Sequence, residues 1–267
     1  MVDKIKANLI IIGGAEDKEG KKEILKYVCS RIDKEKDILL ITAVASEYPE
    51  EMCKKYKRVF GGLGIKNILF LKINERCDAY LENNVQLVNK ANLIFFTGGD
   101  QLRITSLIGG SPVYSKLIEL AEKGVFLVGT SAGASVMSET MIVGGDDEES
   151  PRKCSISMAP GLGFIDRIII DQHFAQRGRI GRLFSAIAQN PQILGIGIDE
   201  NTAIVVTKEG MVQIIGEGAV YFIDGSDITY TNVSEQNVSE VLSIYNIKVN
   251  VLKKGNKFNI ITKKTYE

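Results

Sequence analysis

Five short apolar runs, separated by segments of helical period, restrict what this chain can fold into more than any other feature of it. The runs are Leu9–Ile12, Ile38–Ile41, Asn67–Leu71, Leu93–Phe96 and Val125–Val128. Helical patterns lie between them at Lys21–Arg31, Glu50–Phe60, Asp78–Ala91 and Tyr114–Glu122. Apolar strands without alternation are buried on both faces. Strands that alternate with helices build right-handed βαβ units around a parallel sheet. The expected fold is therefore α/β: three layers, doubly wound, with a mostly parallel sheet and helices on both faces. The last third adds closely spaced strands and turn signals at Lys208-Glu209-Gly210 and Asp224-Gly225. Antiparallel strands are expected to extend the sheet there, with Ile247–Leu252 and Phe258–Thr262 forming a terminal hairpin. No clear linker or repeat interrupts the 267 residues, so one domain is expected over 1–267, with a β-rich extension from about 203 to 267.

Thirty-three basic residues balance 33 acidic ones, so the total charge favours neither nucleic acid nor an anionic membrane. No apolar stretch approaches membrane-spanning length, and the N-terminus lacks the apolar core of a secretory signal. A cytoplasmic setting is expected. Cys29, Cys53, Cys77 and Cys154 are widely spaced, with no C-x-x-C pair and a single histidine in the chain. That composition points to reduced thiols and argues against a metal site.

In parallel sheets ligands bind beyond the carboxyl ends of the strands, and the chemistry-bearing residues fall at such ends. Gly129-Thr130-Ser131-Ala132-Gly133 follows the fifth run and precedes a segment able to start a helix. A Gly-x-Ser-x-Gly turn there can present an exposed serine hydroxyl. Read as a pentapeptide alone, it is equally a turn rich in small residues. A serine nucleophile needs a base, and His173, the only imidazole, follows the strand Ile168–Ile170. An acid should orient that imidazole. Glu200 after Leu194–Ile198 is the candidate, with Asp199 and Asp171 as rivals. The order Ser, His, acid differs from the Ser, acid, His order of α/β-hydrolases. Backbone N–H groups of Ala132 and of Gly99, in Thr97-Gly98-Gly99-Asp100-Gln101, are the candidate oxyanion hole.

Arg177, Arg179 and Arg182 follow His173, the last two on a different helix face from the apolar Ile180, Leu183, Phe184 and Ile187. They read as a solvated basic face or as carboxylate clamps. The acidic run Asp146-Asp147-Glu148-Glu149 reads as an exposed loop, with attraction of a cationic substrate or action as a lid as the lesser alternatives.

Five blocks together resemble the cyanophycinase family of serine peptidases, which also includes aspartyl dipeptidases and has a glutamine-amidotransferase-like fold. They are Gly13-Gly14-Ala15-Glu16-Asp17, Thr97–Gln101, Gly129–Ala134, Asp171–Phe174 with the arginines after it, and Ile198–Ala203. The resemblance implies hydrolysis of cyanophycin, a polyaspartate carrying arginine on each β-carboxyl, to β-Asp-Arg dipeptides. It implies Ser131, His173 and Glu200 as the triad and Gly99 and Ala132 as the oxyanion hole. It also implies a substrate pocket lined by Gln101, Asp171, Gln172, Arg177, Arg179 and Arg182, no cofactor, and a homodimer. The competing expectations are a peptidase for short aspartyl or isoaspartyl peptides and a non-catalytic binding protein. A glutamine amidotransferase would carry cysteine at the elbow.

Overall fold

The computed structural model describes residues 5–145, 150–152, 156–234 and 240–267. The acidic run at 146–149 and Cys154 lie outside the described residues. Five strands form the parallel half of the main sheet: β1 (Asn8–Ile12), β2 (Ile38–Thr42), β3 (Asn67–Leu71), β4 (Leu93–Phe96) and β5 (Phe126–Thr130). Their order across the sheet is β3, β2, β4, β5, β1, every pair parallel. The helices among them are α1 (Glu23–Cys29), α2 (Pro49–Gly62), α3 (Glu82–Asn89), α4 (Gln101–Ile108) and α5 (Pro112–Glu122). Side chains alternate between two buried layers, as the pleat requires. Ile10, Ile12, Leu39, Ile41 and Phe95 pack with Ile24 and Val28 of α1 and Tyr56 and Phe60 of α2. Leu9, Ile11, Leu40, Ile94 and Phe96 pack on the other face with Val88 of α3 and Val113 and Leu117 of α5. Burial on both faces explains the unbroken apolar runs.

The expected helix over 78–91 is two pieces. A 3₁₀ turn at Arg76–Tyr80 gives way to α3 at Leu81, whose ψ of 127° is extended. One helix went unseen in the sequence, α4. Its signal is Asp100, whose carboxylate caps the helix by accepting the Leu102 N–H at 2.8 Å, followed by buried Ile104 and Ile108.

After the short helix α6 (Ala132–Ser135), β6 (Thr140–Gly145) and β7 (Ile156–Pro160) pair antiparallel. Then come β8 (Ile168–Gln172), helix α7 (Ile180–Gln189) and β9 (Leu194–Ile198). The antiparallel extension is formed by β10 (Thr202–Val206) on β1 and β11 (Met211–Gly216) on β10. The strands β8 and β9 do not join that sheet. With β12 (Ala219–Asp224) and, beyond the short pair β13 (Tyr230–Thr231) and β14 (Ile244–Tyr245), with β15 (Lys248–Lys253), they make a second sheet of order β15, β12, β9, β8.

The expected terminal hairpin does not form. β15 pairs with β12, whereas β16 (Lys257–Asn259) pairs with β11 and with β17 (Lys264–Tyr266). Lys253–Lys257 therefore crosses from one sheet to the other instead of turning a ribbon back. The reason is burial. Phe258 of β16 stacks on Phe222 of β12, centroids 4.1 Å apart, and both are buried between the sheets.

Candidate active site

Two sheets meet at the carboxyl end of β1. The carbonyl of Gly13 accepts the His173 N–H at 2.8 Å, and that of Gly14 accepts the Asn201 N–H at 2.9 Å. Gly13 in turn donates to Thr202 O at 2.9 Å. This seam brings the ends of β8 and β9 against the ends of β1 and β5. Gly14 sits at φ +96°, and a β-carbon built on it would lie 2.4 Å from Cε1 and Nε2 of His173. Only glycine leaves room for the ring.

Ser131 stands at the N-cap of α6 with φ 54°, ψ −116°, a conformation that costs a non-glycine residue about 1–3 kcal/mol. It is held by its N–H, which donates to Ile12 O at 3.1 Å. The flanking glycines allow the turn to close: a β-carbon on Gly129 would meet Gly133 O at 2.1 Å. The hydroxyl of Ser131 lies 3.0 Å from His173 Nε2, and Nδ1 of the same ring lies 2.5 Å from Glu200 Oε1. Glu200 is thus the acid on the imidazole. Its rivals are engaged elsewhere. Asp199 accepts the N–H groups of Ala175 and Ala219, each at 3.0 Å, and so ties the β8 end to β12. Asp171 is paired with Arg182.

His173 is 9% exposed. Burial pushes its pKa below the ordinary value of 6.5, aided by the charges of Arg177 and Arg179, while the hydrogen bond and charge of Glu200 pull it upward. The ring is therefore neutral at neutral pH, the state able to take a proton from a serine.

A carboxyl that sequence reasoning left without a role lies beneath the elbow. Glu16 is buried and accepts hydrogen bonds from Thr130 Oγ1 at 2.6 Å and from the Tyr56 hydroxyl. Lys18 Nζ is 2.9 Å from it. Thr130 is the residue before Ser131, so this network braces the elbow from α2 and the β1 loop. The signal was present in Gly13–Asp17, where an acid follows a buried strand.

Near Ser131, a β-carbon on Gly98 would lie 3.1 Å from Ser131 Cβ. Gly99 adopts φ +143°, pressed on the Ala45 carbonyl, which also accepts Asp100 N–H at 2.8 Å. Ala132 is the first residue of α6, a position whose N–H has no acceptor within the helix. Both expected oxyanion donors therefore belong to segments beside the serine.

The residues expected around the substrate fall into three groups. Behind His173, Arg182 of α7 binds Asp171 of β8 through two hydrogen bonds, one of them Nε to Oδ2 at 2.7 Å, and both residues are buried. Arg179 donates to the Gln172 carbonyl at 2.7 Å and approaches its side-chain oxygen at 3.3 Å. These two arginines are buried, not a solvated face, whereas Ile180 of the apolar stripe is 45% exposed. Gln101, at the start of α4, donates to Ile142 O of β6 at 2.9 Å. Arg177 is exposed on the turn after His173.

Comparison with known proteins identifies the family. Residues 9–214 match the model of peptidase family S51. The chain is 37% identical over 260 residues to a cyanophycinase of Geminocystis herdmanii, covering 97% of this chain and 96% of that one. It is 36% identical over 258 residues to a cyanophycinase of Synechococcus elongatus, 96% and 80% of the two chains. Among solved structures, a peptidase from an acI-B1 Actinobacterium superposes with TM-score 0.68 at 22% identity, covering 95% of this chain and 97% of that one. A putative peptidase E from Listeria monocytogenes superposes with TM-score 0.56 at 16% identity, covering 79% of this chain and 99% of that one. These two likenesses concern the fold. Among the described residues no helix is long and apolar enough to cross a membrane. With the family match spanning most of its length, the chain belongs to peptidase family S51 and is a serine-type peptidase.

Proposed function

We propose that the protein is a cyanophycinase that releases β-Asp-Arg from cyanophycin through a Ser131–His173–Glu200 triad. The observation that carries this reading is the continuous hydrogen-bonded line from the Ser131 hydroxyl through the imidazole to Glu200, at 3.0 and 2.5 Å. The cyanophycinases among its relatives support the substrate.

His173 Nε2 takes the hydroxyl proton as Ser131 Oγ bonds to the scissile carbonyl carbon. The carbonyl π pair moves to oxygen, and the N–H groups of Ala132 and Gly99 receive the oxyanion. Glu200 holds the imidazolium. The carbonyl re-forms, the C–N bond breaks, and His173 gives its proton to the leaving amine. Water then repeats the sequence on the acyl-serine, with His173 as base, and frees the carboxylate product. Arg177 meets a substrate carboxylate. Asp171, Gln172, Arg179 and Arg182 shape the wall behind His173, and Gln101 borders it from α4. The protein acts as a cytoplasmic homodimer without a cofactor.

The test is turnover of cyanophycin by the wild type and by Ser131→Ala and His173→Ala, with the products identified. Each variant is expected to lose about 10⁴-fold or more in kcat, with β-Asp-Arg as the wild-type product. Near-normal turnover by either folded variant, or activity confined to short aspartyl peptides, overturns the reading.

A further inference from the structure

A recess opens on the carboxyl edge of the main sheet, lined by none of the triad residues. It encloses about 330 Å³ at the carboxyl ends of β2 and β3, against the side of α2. Its floor is apolar, from Val44, Phe70 and Ile73, and its rim carries Lys54, Lys57 and Lys72 with a single acid, Glu50. All three lysines are exposed. Lys72 lies 3.7 Å from Glu50, which leaves the rim with an excess of positive charge.

The recess shares a wall with the segment that follows Gly99. Asn74 lines it and also lines a shallower trough bounded by Asp100, Leu102 and Arg103. Asp100 follows Gly99 directly, and its N–H is bound to Ala45 O at 2.8 Å. Arg103 Nε donates to Val44 O at 2.9 Å, which fastens the trough to the recess wall. A surface path therefore runs from the oxyanion loop, over Asn74, to a lysine-rimmed apolar hollow.

We infer that this hollow is a remote subsite for the body of a polymeric substrate whose repeating units carry free carboxylates. The inference rests on the cyanophycin reading above. In such a polymer each arginyl unit offers one α-carboxylate and a chain of methylenes ending in a cation. The carboxylates match the lysines, the methylenes match the floor, and one guanidinium matches Glu50. Holding the chain at a second point raises the local concentration of its end at the serine. The gain is absent for a substrate too short to span the trough.

The experiment compares wild type with the triple variant Lys54→Gln/Lys57→Gln/Lys72→Gln. The substrates are long cyanophycin and a two-unit β-Asp-Arg chain, each at low and high salt. Exposed charge pairs are weak, so three together should raise the KM for the long chain about fivefold at low salt, with kcat unchanged. The KM for the short chain should stay put, and the difference should fade at high salt. An unchanged KM for the long chain, or equal increases for both substrates, overturns the subsite. If the wild type cleaves neither substrate, the cyanophycin reading itself fails and the subsite fails with it. These outcomes are distinct.

Discussion

The acidic limb of the pH profile should belong to His173, whose pKa is lowered by burial and by two arginines and raised by Glu200. The proposed base works only when neutral, so kcat/KM should fall as pH drops through a value below about 6.5. Replacing Glu200 by Gln removes the influence that raises this pKa, so the limb should move to lower pH as the rate falls. A limb that moves to higher pH would sink the assignment. The same depression bears on stability. Between the ordinary and the lowered pKa the unfolded chain binds more protons than the folded one, so stability declines as pH falls below about 6.5. Glu16 answers to a different measurement. Glu16→Ala leaves the Thr130 and Tyr56 hydroxyls without their buried acceptor, at a cost of about 3 kcal/mol. A denaturant midpoint equal to wild type would deny that bracing role. Ser131 and His173 were legible in the sequence because a small-residue turn and a lone imidazole each fell after an apolar run. Glu16 was not, because a buried acid is recognised by its partners, and Tyr56 and Thr130 are 40 and 114 residues away from it.

The parallel strands were legible at the scale of elements because burial on both faces leaves an unbroken apolar signature. Pairing was less so. β15 and β16 carry a lysine-rich turn between them and read as a ribbon, yet each finds its partners in a different sheet. Strand propensity is local, whereas the choice of partner is set by long-range burial such as the Phe222–Phe258 stack. Phe258→Ala should therefore destabilise the protein by about 3–5 kcal/mol, measured by chemical denaturation. A loss below about 1 kcal/mol, the size of a surface change, would show that β16 is not fastened to the second sheet. α4 escaped notice because its turns follow a glycine pair, and its cap, Asp100, reads equally as part of a loop.

On the scale of the whole molecule, the two sheets are joined through the β1 seam, the crossing at Lys253–Lys257 and a shared core in which Ile196 and Phe222 pack with Ile11 and Ile204. They should melt together, giving one calorimetric transition. Two resolved transitions would show that they unfold as separate units. The division of labour between the sheets carries a consequence of its own. The serine follows a strand of one slab and the imidazole a strand of the other, with Glu200 in the turn that links the two, so the 3.0 Å contact between serine and imidazole reports how the slabs are aligned. Reactions that depend on such alignment lose about 100-fold for a slip of 1 Å. Activity should therefore behave as a gauge of slab alignment. It should vanish in mild denaturant, or on thinning the distant aromatic stack, while the strands and helices still give an undiminished circular dichroism signal.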